Sequence, residues 1–320
     1  MAAAYDETPF QEGEAIFKSA LFNKECHTAY KIFGSLSCGV APVVCLHGGP
    51  AAGHDYLLPF ARLWSQFGIP VVLYDQIGCG RSTHFQEKAG DGSFWNENLF
   101  IAELENLLEH LELRDDPGFQ ILGHSWGAML GVAYASSQPR GLRKLVLASG
   151  TASEELYTRT ALRLRESCPT EIQESLCEGE RTGDFENENY QKGAAYFASL
   201  TRWRNGPVPD VMKRSTRNMR DDPTVYRTMF GRNPAYFDGS LRGWSSISRL
   251  PKITVPTLIY NGEFDSSSDD TQVPFFEIIP RVRWVTLAGG CHVCHLEEGP
   301  IQERVFQTVG NFLTQPEHDN

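Results

Sequence analysis

Phe119-Gln-Ile-Leu-Gly-His-Ser-Trp-Gly-Ala128 is the stretch that decides how this chain is read. Phe119 to Leu122 is a short apolar run of buried-strand character, and from Ala128 to Ser137 the composition turns helical. Between them stands Gly123-His-Ser-Trp-Gly127, a Gly-x-Ser-x-Gly pattern. In isolation such a pattern arises by chance. Lodged between a strand and a helix, it describes a strained turn that pushes the Ser125 hydroxyl clear of the backbone. Glycines at both ends leave room for neighbouring main chain. An inert Gly/Ser turn is the competing reading, and the strand–turn–helix context argues against it.

Working outward, short apolar runs alternate with helix-like segments. Pro42–Leu46 and Pro70–Tyr74 read as buried strands, with a helix-compatible stretch from Tyr56 to Phe67 between them. Glu97 to Leu111 carries Phe100, Leu104, Leu107, Leu108 and Leu111 on one helical stripe. Leu145–Ala148 is a further strand. The alternation predicts a parallel sheet covered on both faces. It lapses near Ser153. From there to about Leu250 the chain is rich in Arg, Glu and aromatics at helical spacing, with no strand pattern. Strands resume at Pro256–Tyr260 and Val282–Leu287, and a closing helix is expected from about Ile301 to Leu313. The expected organisation is a core domain of residues 1–152 and 251–320, with residues 153–250 inserted as a helical cap.

A serine hydroxyl needs a base, and the base an orienting carboxylate. Asn261-Gly-Glu-Phe-Asp265 and Gly289-Gly-Cys-His292 each follow a predicted strand, where ligands gather on open α/β sheets. Asp265 and His292 are the candidates. Glu263, Asp269 and Asp270 are rivals for the acid, and His295 for the base. Leu46-His-Gly-Gly-Pro50 lies upstream of the turn, so the backbone N–H groups of Gly49 and Trp126 are the expected oxyanion donors. Cys291-His-Val-Cys-His295 also raises zinc, but a structural zinc site takes four ligands and no second compact Cys/His pair exists in the chain. Neither metal nor cofactor is expected.

Lys and Arg number 29 against 40 Asp and Glu, a net charge of −11, which disfavours nucleic acid as a partner. No apolar run is long enough to span a bilayer, so no membrane association is expected. The opening Met1-Ala-Ala-Ala-Tyr-Asp6 lacks the basic start and apolar stretch of a secretory leader. Eight irregularly spaced cysteines suit reduced thiols, and a cytoplasmic location is expected.

These residues resemble the proline iminopeptidase family of serine peptidases, including its tricorn-interacting members. The resemblance is carried by His47-Gly-Gly-Pro50, His54-Asp-Tyr-Leu57, Tyr74-Asp-Gln-Ile-Gly-Cys-Gly-Arg-Ser82, Gly123-His-Ser-Trp-Gly-Ala128, Gly262-Glu-Phe-Asp265 and the Cys-His ending at His292, with Phe185-Glu-Asn-Glu-Asn-Tyr190 in the cap. It implies an α/β-hydrolase fold with a mostly parallel sheet, helices on both faces and an inserted helical cap. It also implies a triad of Ser125, Asp265 and His292. Three departures stand out. Ala51 replaces the last glycine of the family's His-Gly-Gly-Pro-Gly. Ser266 replaces a glutamate after the triad aspartate. The Gly231-Arg-Asn-Pro-Ala235 segment lacks the cap glutamate. Those glutamates bind a substrate's free α-amine in the peptidases. The expected function is therefore hydrolysis of a small amide or ester, an amino-acid or peptide-derived metabolite. Release of N-terminal proline is the alternative, with Glu186 or Glu188 serving the amine. A non-hydrolytic binding protein on the same scaffold is the reading from another class. Trp203, Tyr236 and Trp244 are further candidates for the pocket wall.

Overall fold

The computed structural model describes residues 8–19, 24–204, 206–233 and 235–316. The opening residues 1–6 read above, and Pro234 of the cap segment, lie outside the described residues.

An eight-stranded sheet forms the centre of the molecule. Its strands are β1 (Phe10–Phe17), β2 (Cys26–Phe33), β3 (Val43–Leu46), β4 (Val71–Tyr74), β5 (Phe119–His124), β6 (Leu142–Ala148), β7 (Thr257–Gly262) and β8 (Val282–Leu287), in spatial order 1-2-4-3-5-6-7-8. From β4 to β8 every neighbouring pair is parallel. The first two strands form an antiparallel hairpin, and β2 pairs antiparallel with β4. The sequence reading began the sheet at Pro42 and so missed this hairpin. Phe10-Gln-Glu-Gly-Glu-Ala-Ile-Phe17 is an edge strand mostly open to water, and it carries no continuous apolar run to betray it. Strands β3 to β6 are buried on both faces, which is why they read as apolar runs.

Helices α1 (Arg62–Phe67), α2 (Glu97–His110) and α3 (Trp126–Ala135) connect the first half of the sheet. The stretch read as one helix from Tyr56 to Phe67 is a 3-10 turn over Asp55–Ala61 that continues into α1. All ten residues of α3 are buried, so its sequence shows no polar face. Five helices follow β6, namely α4 (Glu154–Glu166), α5 (Thr170–Thr182), α6 (Glu188–Thr201), α7 (Asp210–Asp221) and α8 (Thr224–Met229). The chain then returns to the sheet with α9 (Asp269–Ile278) between β7 and β8, and α10 (Pro300–Thr314) closes it.

The two crossings between sheet and cap run side by side. Ser153 and Ser245 form an antiparallel bridge, flanked by Glu154 N–H to the Trp244 carbonyl (2.8 Å) and Ser246 N–H to the Ala152 carbonyl (2.9 Å). Glu97 at the start of α2 fastens this neck. It accepts from the Trp244 indole at 2.7 Å and from both terminal nitrogens of Arg249 at 2.5 and 3.0 Å.

Candidate active site

Strand order reverses direction around β3, because the chain leaves it for β4 on one side and later enters β5 on the other. Crevices at such switch points, beyond the carboxyl ends of the strands, are where open α/β sheets bind ligands. Gly48 and Gly49 follow β3 there, and Ser125 follows β5.

Ser125 has φ 57° and ψ −119°, a conformation costing a non-glycine residue about 1–3 kcal/mol that its surroundings must hold. Its N–H reaches the Ala148 carbonyl at 2.9 Å, prolonging the β5–β6 ladder by one residue, and its carbonyl accepts from Ala128 N–H at 2.9 Å. The flanking glycines are required by close approach. A Cβ on Gly123 would lie 2.1 Å from the Gly127 carbonyl oxygen, and one on Gly127 would lie 2.0 Å from that of Leu46. The turn is thus locked against β3.

On the next loops, His292 Nδ1 lies 2.7 Å from Asp265 Oδ1. The same oxygen accepts the Ser267 N–H at 2.7 Å, and Asp265 is 1 % exposed. His292 N–H is held by the Thr201 carbonyl of the cap at 2.8 Å. His295 is placed otherwise. It is fully buried, stacks on Phe60 with centroids 5.0 Å apart, and its Nε2 meets the Tyr56 carbonyl at 3.1 Å. Burial lowers its pKa to about 3. Of the rival acids, Glu263 accepts the Gly289 N–H, Asp269 accepts from Asn261 and Thr286, and Asp270 pairs with Arg163. Among the described residues no group of three or more His, Cys, Asp or Glu is placed to hold a metal ion.

Sequence reasoning missed a buried relay that ties the three loops together. Gly48 N–H donates to the Tyr56 hydroxyl at 2.7 Å, and that hydroxyl lies 2.8 Å from His124 Nδ1. His124 Nε2 is 2.7 Å from the His292 carbonyl, an acceptor, so Nε2 carries the proton and Tyr56 donates to Nδ1. Burial and the neighbouring His292 drive the His124 pKa well below its ordinary value, which keeps that tautomer neutral. Beside it, Gln76 N–H donates to His47 Nε2 (3.0 Å), while the Gln76 amide spans the His47 carbonyl and the Trp126 indole. The Asp-Gln-Ile-Gly motif thereby braces the His-Gly-Gly loop.

A cavity beneath the cap is lined by Gly48, Gly49, Ser125, Trp126 and His292 on the sheet side. No hydrogen bond among the described residues engages the N–H of Gly49 or Trp126. The cap side is aromatic: Tyr157, Tyr226, Phe230 and Phe237 form a packed group, with Phe230 and Phe237 centroids 4.4 Å apart.

The five wall candidates read from sequence do not line this cavity. Glu186 pairs with Arg227 at 3.0 Å, and Glu188, in the first turn of α6 where helices favour acids, pairs with Lys192 at 2.7 Å. Both are exposed. The Trp203 indole donates to the Gly206 carbonyl, Tyr236 packs on the small core inside the cap, and Trp244 fastens the neck. Packing within the cap, rather than residue type, selects which cap aromatics face the site.

Fold and cavity together define an α/β hydrolase. Residues 41–299 match the alpha/beta hydrolase fold family. The chain is 31 % identical over 276 residues to a proline iminopeptidase of Levilactobacillus brevis, covering 85 % of this chain and 88 % of that one. It is 33 % identical to one from Saccharolobus solfataricus, over 85 % and 84 % of the two chains. The crystal structure of VinJ superposes with TM-score 0.88 at 38 % identity, over 95 % of this chain and 98 % of that one. That of a Mycobacterium smegmatis proline iminopeptidase gives 0.85 at 33 %, over 95 % and 97 %. The chain belongs to the proline iminopeptidase family of α/β hydrolases.

Proposed function

We propose that this protein is a serine hydrolase that cleaves a small amide or ester through an acyl-enzyme on Ser125. The observation that carries the reading is that Ser125, on a strained turn, lines one cavity with a histidine hydrogen-bonded to a buried carboxylate. Ser125 Oγ attacks the substrate carbonyl and passes its proton to His292 Nε2. Asp265 holds the opposite ring nitrogen and stabilises the imidazolium that forms. The N–H groups of Gly49 and Trp126 receive the oxyanion. His292 then protonates the leaving group, and water, activated by the same base, releases the acid.

Release of N-terminal proline is the second reading, favoured by the relatives' names. Against it, no Asp or Glu lines the cavity among the described residues. Ser266 does line it and supplies no negative charge. A buried ammonium without a partner is costly, and loss of two charged acceptors amounts to about 10²–10⁴ in specificity. Fluorophosphonate is expected to label the wild type and not Ser125→Ala, whose turnover falls by about 10⁴–10⁶. Near-normal turnover in Ser125→Ala sinks the mechanism. A strong preference for proline p-nitroanilide over its N-acetyl form and over an aryl ester would instead establish the second reading.

A further inference from the structure

The cavity holds one permanently charged side chain among its described lining residues, and it is a cation. Arg202 caps the C-terminal end of α6, lines the cavity with Ser125 and His292, and has no ion pair among the described residues. Its backbone is anchored next to the chemistry, because the preceding residue, Thr201, supplies the carbonyl that holds His292 N–H, while its side chain is exposed to the cavity mouth and solvent. A second groove on the cap shares Arg202, Met219 and Tyr226 with the cavity, so the two adjoin. Arg220, Arg227 and Arg232 line that groove against a single acid, Glu186, which is already paired with Arg227. Arg220 is paired with Asp221, whereas Arg232 makes no ion pair among the described residues. A chain of net charge −11 thus gathers four arginines at the approach to its site. Such a patch concentrates anions and disfavours cations.

We infer that Arg202 selects substrates whose leaving portion carries a carboxylate, so that the product released is an amino acid or a hydroxy acid. This rests on the hydrolytic reading above. Placement on the leaving side follows from chemistry. His292 is the group that protonates the departing atom, and Arg202 is joined to the His292 backbone through one residue, whereas the acyl carbon must sit over Ser125. Guanidinium pairs with carboxylate through two parallel N–H bonds, a geometry ammonium cannot copy. The aromatic wall of Tyr157, Phe230 and Phe237 is left to an apolar acyl portion.

The test compares 3-carboxyphenyl acetate with its methyl ester, 3-(methoxycarbonyl)phenyl acetate, in wild type, Arg202→Gln, Arg202→Lys and Arg232→Gln. Wild type should favour the carboxylate, and added salt should narrow the preference. Arg202→Gln should lose about 10–100-fold in kcat/KM on the carboxylate and keep the methyl ester rate within about 2-fold. Arg202→Lys should regain part of the loss, and Arg232→Gln should weaken only the salt-dependent part. An unchanged ratio in Arg202→Gln overturns the inference while leaving the hydrolase intact. Discrimination confined to phenyl hydrogen glutarate against its methyl ester, where the carboxylate is on the acyl side, overturns the placement. Failure of wild type to react with fluorophosphonate removes both readings together.

Discussion

Replacing Tyr56 by phenylalanine removes one oxygen from the relay and strands two buried groups at once. Gly48 N–H loses its acceptor and His124 Nδ1 loses its donor, and both residues are buried. A buried polar group left without its partner costs about 1–3 kcal/mol, so stranding two should destabilise the protein by about 2–6 kcal/mol. For a domain of this size that is a fall in Tm of roughly 3–9 °C. The loop carrying Gly49 also loses its tie to the turn carrying Ser125, so kcat should fall more than KM rises. Tyr74 provides the control. It too is fully buried, yet its hydroxyl has no hydrogen-bond partner among the described residues. Tyr74→Phe should therefore leave Tm unchanged or raise it slightly. Calorimetry and aryl-ester kinetics on the two variants make the comparison. Equal Tm for Tyr56→Phe and Tyr74→Phe would refute the claim that the relay holds the three loops.

Other expectations follow from single features. His292→Ala should abolish aryl-ester turnover without a large loss of Tm, whereas His295→Ala should lower Tm by opening a cavity beside Phe60 and leave kcat within a few-fold. The reverse pattern would misplace the base. Glu103, fully buried with one oxygen hydrogen-bonded to Thr28 and Ile77, has its pKa raised by burial to about 8. Its contribution is fully present below the unfolded value near 4.5 and is lost as pH rises toward 8, so Glu103→Gln should flatten the decline of Tm across that window; a decline equally steep in the variant would contradict this. Ala51 has φ 72°, where glycine is at ease and alanine is strained, so Ala51→Gly should raise stability by about 0.5–1 kcal/mol in urea unfolding. A loss there would show that the buried methyl outweighs the strain.

The turn around Ser125 was legible because its signal is local: a strand, two glycines and a helix within ten residues. Asp265 and His292 were legible because each follows an apolar strand. The hairpin of β1 and β2 was not, since Gln11, Glu12 and Glu14 are all exposed on an open edge and its stabilising partner, β4, lies far along the chain. The cap wall was illegible for a related reason. Trp244 and Phe237 look equivalent as residues, yet Trp244 is claimed by Glu97 from another helix, 147 positions away, while Phe237 packs on Phe230 and faces the cavity. Arg202 carried no motif at all. The reading proposed for it comes from the absence of an acid among the described residues lining the cavity, which only the assembled cavity reveals.

The neck has a consequence for how such a chain can change. With Ser153 and Ser245 bridged and Glu97 clamping the returning strand, the cap is, topologically, a loop whose ends are fastened together on the sheet. Closing a loop grows costlier only with the logarithm of its length, about 0.6 kcal/mol for each doubling. Insertions, deletions or wholesale exchange of helices between those two serines therefore press only lightly on the folding of the sheet. Ser125 and Asp265 are held from below, by β3, β6 and the Ser267 N–H, and remain in place while the roof above them is rebuilt. His292 is the exception: its N–H is held by the Thr201 carbonyl of the cap, so any exchanged roof has to bring an acceptor to that one point.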